Sequence, residues 1–320
     1  MKQTEVTALG ELLIDFTENG VSTQGNPLLE ANPGGAPCNV LAMLSKLGHS
    51  TAFIGKVGAD MFGRRLRQVV SGAGIDISGL IEDDSVNTTL AFVHTLAGGD
   101  RDFSFYRNPG ADMMLTEEEV KEELIKNSRI FHFGTLSMTA EGCRKATEKA
   151  IEIAEQAGVL ISFDPNLREP LWDSLDTAKQ RTLYGLEHCD ILKISDNEIE
   201  WLTGEKDYVN AAKQLKEAYH IPLLLVSLGK EGSMAFSDSA MAEVPAYRVE
   251  TIETTGAGDT FGACVLHYVL EHGFRDYRKE ELEEMLCFAN AAAAIVTTRK
   301  GALSVMPEKT EIEQLLVENK

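Results

Sequence analysis

Glu253-Thr-Thr-Gly-Ala-Gly-Asp-Thr-Phe-Gly-Ala263 runs straight into an apolar segment, Cys264–Glu271, that reads as a helix. Small residues ahead of a helix leave backbone N–H groups uncovered, and the helix dipole favours negative charge at that end. Such a start suits a phosphate or a phosphoryl group in transfer. Asp259 stands within the same turn. A carboxylate there repels the anion that the amides attract, and its natural use is to take a proton from an attacking hydroxyl. Taken alone, the stretch leaves a second reading open, in which Asp259 only caps the helix or turn.

Upstream of this stretch, strand-type and helix-type segments alternate. Val6–Leu9 and Thr51–Val57 read as strands, with a helix Cys38–Leu47 between them closed by Gly48. Asp60–Ser71 reads as a second helix, again ended by glycines, Gly72 and Gly74. Later strands are expected at Arg129–Phe133, Val159–Phe163, Ile191–Ile194 and Leu223–Ser227, and further helices at Glu141–Ala157 and Glu280–Val296. In Glu141–Ala157 the small or apolar residues Cys143, Ala146, Ala150, Ile153, Ala154 and Ala157 form one stripe. Alternation at this pitch predicts a parallel sheet covered by helices on both faces. Two stretches break the rhythm, residues 11–32 and 88–112. Thr89–Thr95 and Asp102–Tyr106 alternate around a turn at Gly98-Gly99-Asp100 and read as a separate small sheet. The expectation is one domain over residues 1–320 with a small β lid inserted in it.

The whole chain has 320 residues, 43% apolar and 25% charged, with a formal charge of −20. That charge argues against nucleic acid or an anionic membrane as the main partner. The five cysteines are scattered, with no CxxC pair, which reads as reduced thiols in the cytoplasm. No apolar run is long enough for a signal peptide or a spanning helix. Two nucleotide motifs are excluded. Gly55-Lys56 is followed by Val57 and Gly229-Lys230 by Glu231, so no P-loop occurs. Gly256, Gly258 and Gly262 are one residue too widely spaced for the dinucleotide fingerprint, which demotes a dehydrogenase.

A second glycine-rich turn, Pro33-Gly34-Gly35-Ala36-Pro37-Cys38-Asn39, also opens a helix. Its glycines permit close backbone approach, and Asn39 offers a donor and an acceptor to a polyhydroxylated ligand. Taken alone, it reads equally as a loop ending in a helix start. Together, Gly34-Gly35…Asn39 and Thr254-Thr255-Gly256-Ala257-Gly258-Asp259-Thr260-Phe261 resemble the paired signatures of the ribokinase-like (PfkB-type) carbohydrate kinases, in that family's order and separation. The likeness runs from Gly10-Glu11 to Pro307. Within the family, Gly10-Glu-Leu-Leu-Ile-Asp15, Phe105-Tyr-Arg107-Asn-Pro-Gly-Ala-Asp112 and Phe163-Asp-Pro-Asn-Leu-Arg168 are most like fructokinases.

The resemblance implies a ribokinase-like three-layer α/β/α fold with a mainly parallel central sheet and a small β lid. It implies transfer of the γ-phosphoryl group of ATP to a sugar hydroxyl, fructose first, with Mg²⁺ as cofactor. Asp259 would be the base, and the amides of Gly256, Ala257 and Gly258 the anion hole. Asp15, Gly34, Gly35 and Asn39 would hold sugar hydroxyls, with Arg107 and Arg168 near the acceptor or the transferred phosphate. Read from the residues, Arg168 also fits a surface ion pair and Arg107 a solvated lid position.

The nucleotide would meet Lys193, Ser195, Ser227, Gly229, Gly232 and Asn290. Glu198 would organise water around Mg²⁺; Ser195 stands where the family usually has asparagine. First-turn helix charge for Glu198, a hairpin turn for Gly229 and Gly232, and a core-edge amide for Asn290 are the plainer readings. Arg299-Lys300-Gly301-Ala302-Leu303-Ser304 resembles the loop that binds a monovalent cation, K⁺, in potassium-activated members; Glu253 and Thr255 would join Arg299, Gly301 and Ser304 there. Glu253 replaces the family's aspartate. The loop equally reads as a tight turn after a helix. Two rivals stay open: a kinase of the same fold acting on 2-keto-3-deoxygluconate, ribose or a nucleoside, and a sugar-binding regulatory protein without catalysis. Edge strands of the lid suit a homodimer.

Overall fold

The computed structural model describes residues 4–95 and 101–319. Its strands are β1 (Val6–Leu9), β2 (Leu13–Val21), β3 (Pro27–Gly34), β4 (Thr51–Gly58), β5 (Asp76–Asp83), β6 (Leu90–Thr95) and β7 (Arg101–Tyr106). They continue with β8 (Ile130–Gly134), β9 (Leu160–Asp164), β10 (Ile191–Ser195), β11 (Leu223–Ser227), β12 (Ser233–Phe236) and β13 (Met241–Val244). The helices are α1 (Ala36–Lys46), α2 (Met61–Gly72), α3 (Glu122–Lys126), α4 (Glu141–Ala157) and α5 (Leu175–His188). They continue with α6 (Asp196–Thr203), α7 (Tyr208–Tyr219), α8 (Ala257–His272), α9 (Lys279–Thr297) and α10 (Lys309–Glu318).

Nine strands form the large sheet in the order β13-β12-β11-β10-β9-β8-β1-β4-β5. From β11 to β5 every pairing is parallel, and only the β11–β12 and β12–β13 pairings at one edge are antiparallel. Alternate residues of each strand face opposite layers. Leu223 and Leu225 of β11 join an apolar cluster with residues of α1, α8 and α9. Leu224 and Val226 join a second cluster with residues of α4, α6 and α7. Two helical layers therefore sandwich the sheet, as the near-continuous apolar strands require.

The two excursions read from the sequence meet in one small sheet, ordered β3-β2-β6-β7. The expected turn at Gly98-Gly99-Asp100 lies outside the described residues. One face of the small sheet is apolar: Phe16 stacks on Phe92 with centroids 4.9 Å apart and meets Phe62 of α2 edge-on at 5.7 Å.

Two boundaries differ from expectation in ways that matter. The helix expected at Cys264–Glu271 starts at Ala257. Gly256, at φ +79°, turns the chain into it, and the small residues that follow continue as helix. Asp259 is thus in the first turn of α8, not ahead of it. Helix α1 begins at Ala36, with Pro37 in its first turn, where a missing N–H costs nothing.

Candidate active site

The parallel strands end on one side of the sheet, where ligands of open α/β folds sit. A cavity of about 370 Å³ opens there, within the size range of small-molecule sites. Both glycine-rich signatures line it. Gly35 and Asn39 come from the first, Thr255, Gly256, Gly258 and Asp259 from the second, Asp15 from β2, Lys193 from β10 and Arg168 from the loop after β9.

Helix α8 has no side-chain cap, so no side chain engages its first amides. The first intrahelical bond is Thr260 N–H to the Gly256 carbonyl at 2.8 Å. Ala257 N–H is drawn back to the Thr254 carbonyl at 3.3 Å. The expected trio of donors is therefore revised: Ala257 is partly engaged, while the helix start still offers the amides of Gly256, Gly258 and Asp259 itself. A Cβ at Gly256 would come within 2.7 Å of Ala302 Cβ, so this close turn needs glycine beyond its positive φ.

Asp259 is half-buried, and burial raises its carboxyl pKa above the ordinary aspartate value. Three groups oppose that rise: Asn39, Lys193 and Arg168. Asn39 Nδ2 donates to Asp259 Oδ2 at 2.7 Å, a bond between residues 220 positions apart. Asn39 Oδ1 is buried with no partner among the described residues, an acceptor left for a ligand. Because Asp259 receives Asn39 and faces the cavity, its side chain is not the helix cap that the sequence left open.

Lys193 crosses the floor of the site. Its Nζ lies 2.9 Å from Asp164 Oδ2, and a Cβ added at Gly258 would stand 3.0 Å from that nitrogen. The ammonium therefore abuts the amides of the α8 start. Burial works against the lysine's charge, but Asp164, Glu198 and Asp259 keep its pKa above the usual value. Asp164 is 5% exposed, and burial pushes its pKa up to about 6 against the pull of Lys193.

Other expected residues lie elsewhere. Gly34 is beside Asp15, where any side chain would collide with the carboxylate, so it shapes the site without lining it. Arg107 is 7% exposed and does not line the cavity, contrary to both a solvated and a sugar-closing role. Its Nε and Nη2 hold Asp112 Oδ2 at 2.8 and 2.7 Å, Nη1 reaches Thr139 Oγ1 at 2.7 Å, and Nη2 also reaches the Leu136 carbonyl at 3.0 Å. A buried guanidinium needs such partners, and Asp112 five residues on supplies them. Its neighbour Phe105 does line the cavity.

Glu198 Oε1 accepts Leu167 N–H at 2.7 Å, and Oε2 accepts Ser195 N–H at 2.9 Å and Ser195 O–H at 2.7 Å. This is a capping box that also pins the loop carrying Arg168. Ser227 ends β11, and Gly229 at φ +56° and Gly232 at φ +121° lie in the β11–β12 connection. Asn290 spends its amide on the carbonyls of Val244 and Pro245 and on Ser233 Oγ. Glu198, Ser227, Gly229, Gly232 and Asn290 do not line the cavity.

Near the expected cation loop, Glu253 Oε1 accepts Thr255 O–H at 2.6 Å and Oε2 accepts Gly301 N–H at 2.9 Å. A small hollow beside them is also lined by Asp15 and Asn32. Arg299 and Ser304 are not side-chain members: Arg299 holds the Val305 carbonyl at 3.1 Å and Glu311, and Ser304 is exposed.

Two site residues escaped the sequence reading. Glu11 lines the cavity, is 4% exposed, accepts Ala36 N–H at 2.8 Å and has its pKa raised by burial to about 7. Asp164 was quoted only as part of the motif ending in Arg168, though a carboxylate ending an apolar strand was a usable signal.

Known proteins resemble the chain over nearly its whole length. The chain is 42% identical over 313 residues to fructokinase-1 of Oryza sativa subsp. japonica, with 97% of each covered. A Xylella fastidiosa fructokinase crystallised with bound ATP superposes with a TM-score of 0.89 at 31% identity, covering 100% of this chain and 99% of that one. A double mutant of the Vibrio cholerae O395 fructokinase, in its fructose-, ADP- and potassium-bound form, gives 0.87 at 28% identity over 98% of both. The pfkB carbohydrate kinase family matches residues 3–309, all but the two chain ends, and the chain belongs to that family.

Proposed function

We propose that this kinase transfers the γ-phosphoryl group of ATP to a hydroxyl of fructose. The observation that carries the reading is the Asp259 carboxylate, fixed by Asn39 inside the cavity and adjoining uncapped amides. Asp259 takes the proton as the sugar hydroxyl attacks. The amides and the Lys193 ammonium meet the charge of the migrating group, and comparable donors are worth about 2.7–4 kcal/mol each. Asp15, the Gly35 turn and Asn39 face the polyol, and the small sheet with Phe105 covers it against water.

Mg²⁺, when bound with ATP, neutralises phosphate charge. Glu198 retains one lone-pair direction on Oε1, which suits a water of the hydrated ion better than the ion itself. Glu253 and the Thr255 hydroxyl are oxygen donors suited to K⁺. Fructose is favoured over 2-keto-3-deoxygluconate because Arg107 is withdrawn, leaving Arg168 as the cavity's arginine for a substrate carboxylate. The reading extends to the cytoplasm, consistent with five free cysteines, and to a homodimer through the small sheet, where Val21, Leu28 and Leu29 are exposed.

A coupled ADP-release assay over fructose, 2-keto-3-deoxygluconate, ribose and glucose, with and without K⁺, tests the substrate. Fructose should give the highest kcat/KM, and sedimentation of the same preparation should show a dimer. A preference for the acid sugar would replace fructose as substrate; no sugar-dependent ADP release at all would favour the regulatory alternative.

A further inference from the structure

Far from the cavity, toward the C-terminal ends of α1 and α8, three metal-ligating side chains meet. His49 follows α1, with its backbone N–H bonded to the Leu44 carbonyl at 3.1 Å. His267 and Glu271 stand one turn apart on α8, the spacing that puts two side chains on the same helix face. One donor atom from each of the three lies within 4.8 Å of the others. The two imidazoles are buried and the carboxylate is exposed.

A carboxylate stands behind one of the two rings. Glu5 Oε2 lies 3.2 Å from His49 Nδ1 and accepts Ser50 N–H at 3.1 Å. A hydrogen bond from His49 Nδ1–H to this carboxylate leaves the lone pair of the neutral ring on Nε2. That lone pair faces His267 Nδ1 at 2.7 Å. A carboxylate behind an imidazole is the arrangement of a metal ligand with its orienting partner.

We propose that His49 Nε2, His267 Nδ1 and the Glu271 carboxylate form a site for a borderline divalent transition-metal ion, zinc in particular, with water completing the coordination. Imidazole nitrogen suits zinc, whereas Mg²⁺ prefers six oxygens, so the site is chemically separate from ATP·Mg²⁺. Without an ion, Glu5, His49 and His267 form a hydrogen-bonded chain. On binding, His267 shifts its proton from Nδ1 to Nε2 and both facing lone pairs turn to the ion. Tetrahedral zinc–nitrogen bonds place two nitrogens roughly 3.3–3.4 Å apart, about 0.6 Å more than the present 2.7 Å, within reach of a small side-chain rotation. The ion would tie the turn after α1 to the last turns of α8.

The test uses the tag-free full chain, stripped with a chelator and titrated with Co²⁺ as a visible probe, then with Zn²⁺. One Co²⁺ per chain should bind with the intense absorption of a four-coordinate ion, be displaced by one equivalent of Zn²⁺, and raise Tm. Glu271→Ala removes an exposed side chain and so spares the core; it should weaken binding at least about 10-fold, and Glu5→Gln about 10–100-fold. His49→Gln should abolish it. Absence of stoichiometric binding overturns the proposal, and so does binding that Glu271→Ala and His49→Gln leave unchanged, which would point to thiols.

Discussion

Asp259→Asn should lower kcat by about 10²–10⁴-fold, the usual range for loss of a positioned base, with KM for sugar and ATP nearly unchanged. The amide has the shape of the carboxylate and still presents an oxygen to Asn39 Nδ2, but it cannot take a proton. An interaction made mainly in the transition state lowers kcat and kcat/KM together. Removing the charge also removes repulsion of the phosphates, so ATP binding is expected to hold or tighten. The carboxylate is disfavoured by burial, so Tm should not fall. Coupled ADP release with both substrates saturating, and a melt of the same sample, read these outcomes. Near-normal kcat would remove Asp259 from its role.

Lys193→Met should destabilise the fold and stop turnover together. The ammonium is the 2.9 Å partner of a carboxylate that is 5% exposed, and removing one member of a buried pair costs about 3–5 kcal/mol. The pH dependence has a definite sign. Asp164 already has its pKa raised to about 6, and loss of Lys193 raises it further. A carboxyl whose folded pKa exceeds its unfolded one penalises folding most above the folded value. The penalty fades as pH falls toward the unfolded value and Asp164 protonates in both states. Denaturant melts at neutral and mildly acid pH should show the deficit of the variant shrinking on acidification. A deficit that grew on acidification would contradict the assigned pair.

The layered fold was legible because its strands are short apolar runs and its helices carry stripes. Glu141–Ala157 and Leu223–Ser227 were read to the residue. Helix α5 was not read, since its buried side is Ala178, Thr182, Gly185 and Leu186, small or polar apart from one leucine. The chemical site was legible where backbone chemistry is local: Gly256 to Asp259, and Gly35 to Asn39. Long-range pairing was not. Nothing in the local sequence reveals that Asn39 bonds Asp259, or that Lys193 neutralises Asp164. Arg107 was misplaced because its sequence position in the lid says nothing of Asp112, which turns it inward. Glu198 and Asn290 were singled out by resemblance, and nothing local in the sequence reveals that their side chains bond protein groups.

The whole account turns on where the sugar's alcohol lies relative to one oxygen pair. A crystal structure with fructose and a non-hydrolysable ATP analogue measures that directly. The expected result is one fructose hydroxyl about 2.6–3.2 Å from an Asp259 oxygen, hydrogen-bonding reach for proton transfer, and the terminal phosphate against the Gly256–Gly258 turn. Fructose bound with every hydroxyl out of reach of Asp259, or phosphates seated away from the start of α8, would contradict it.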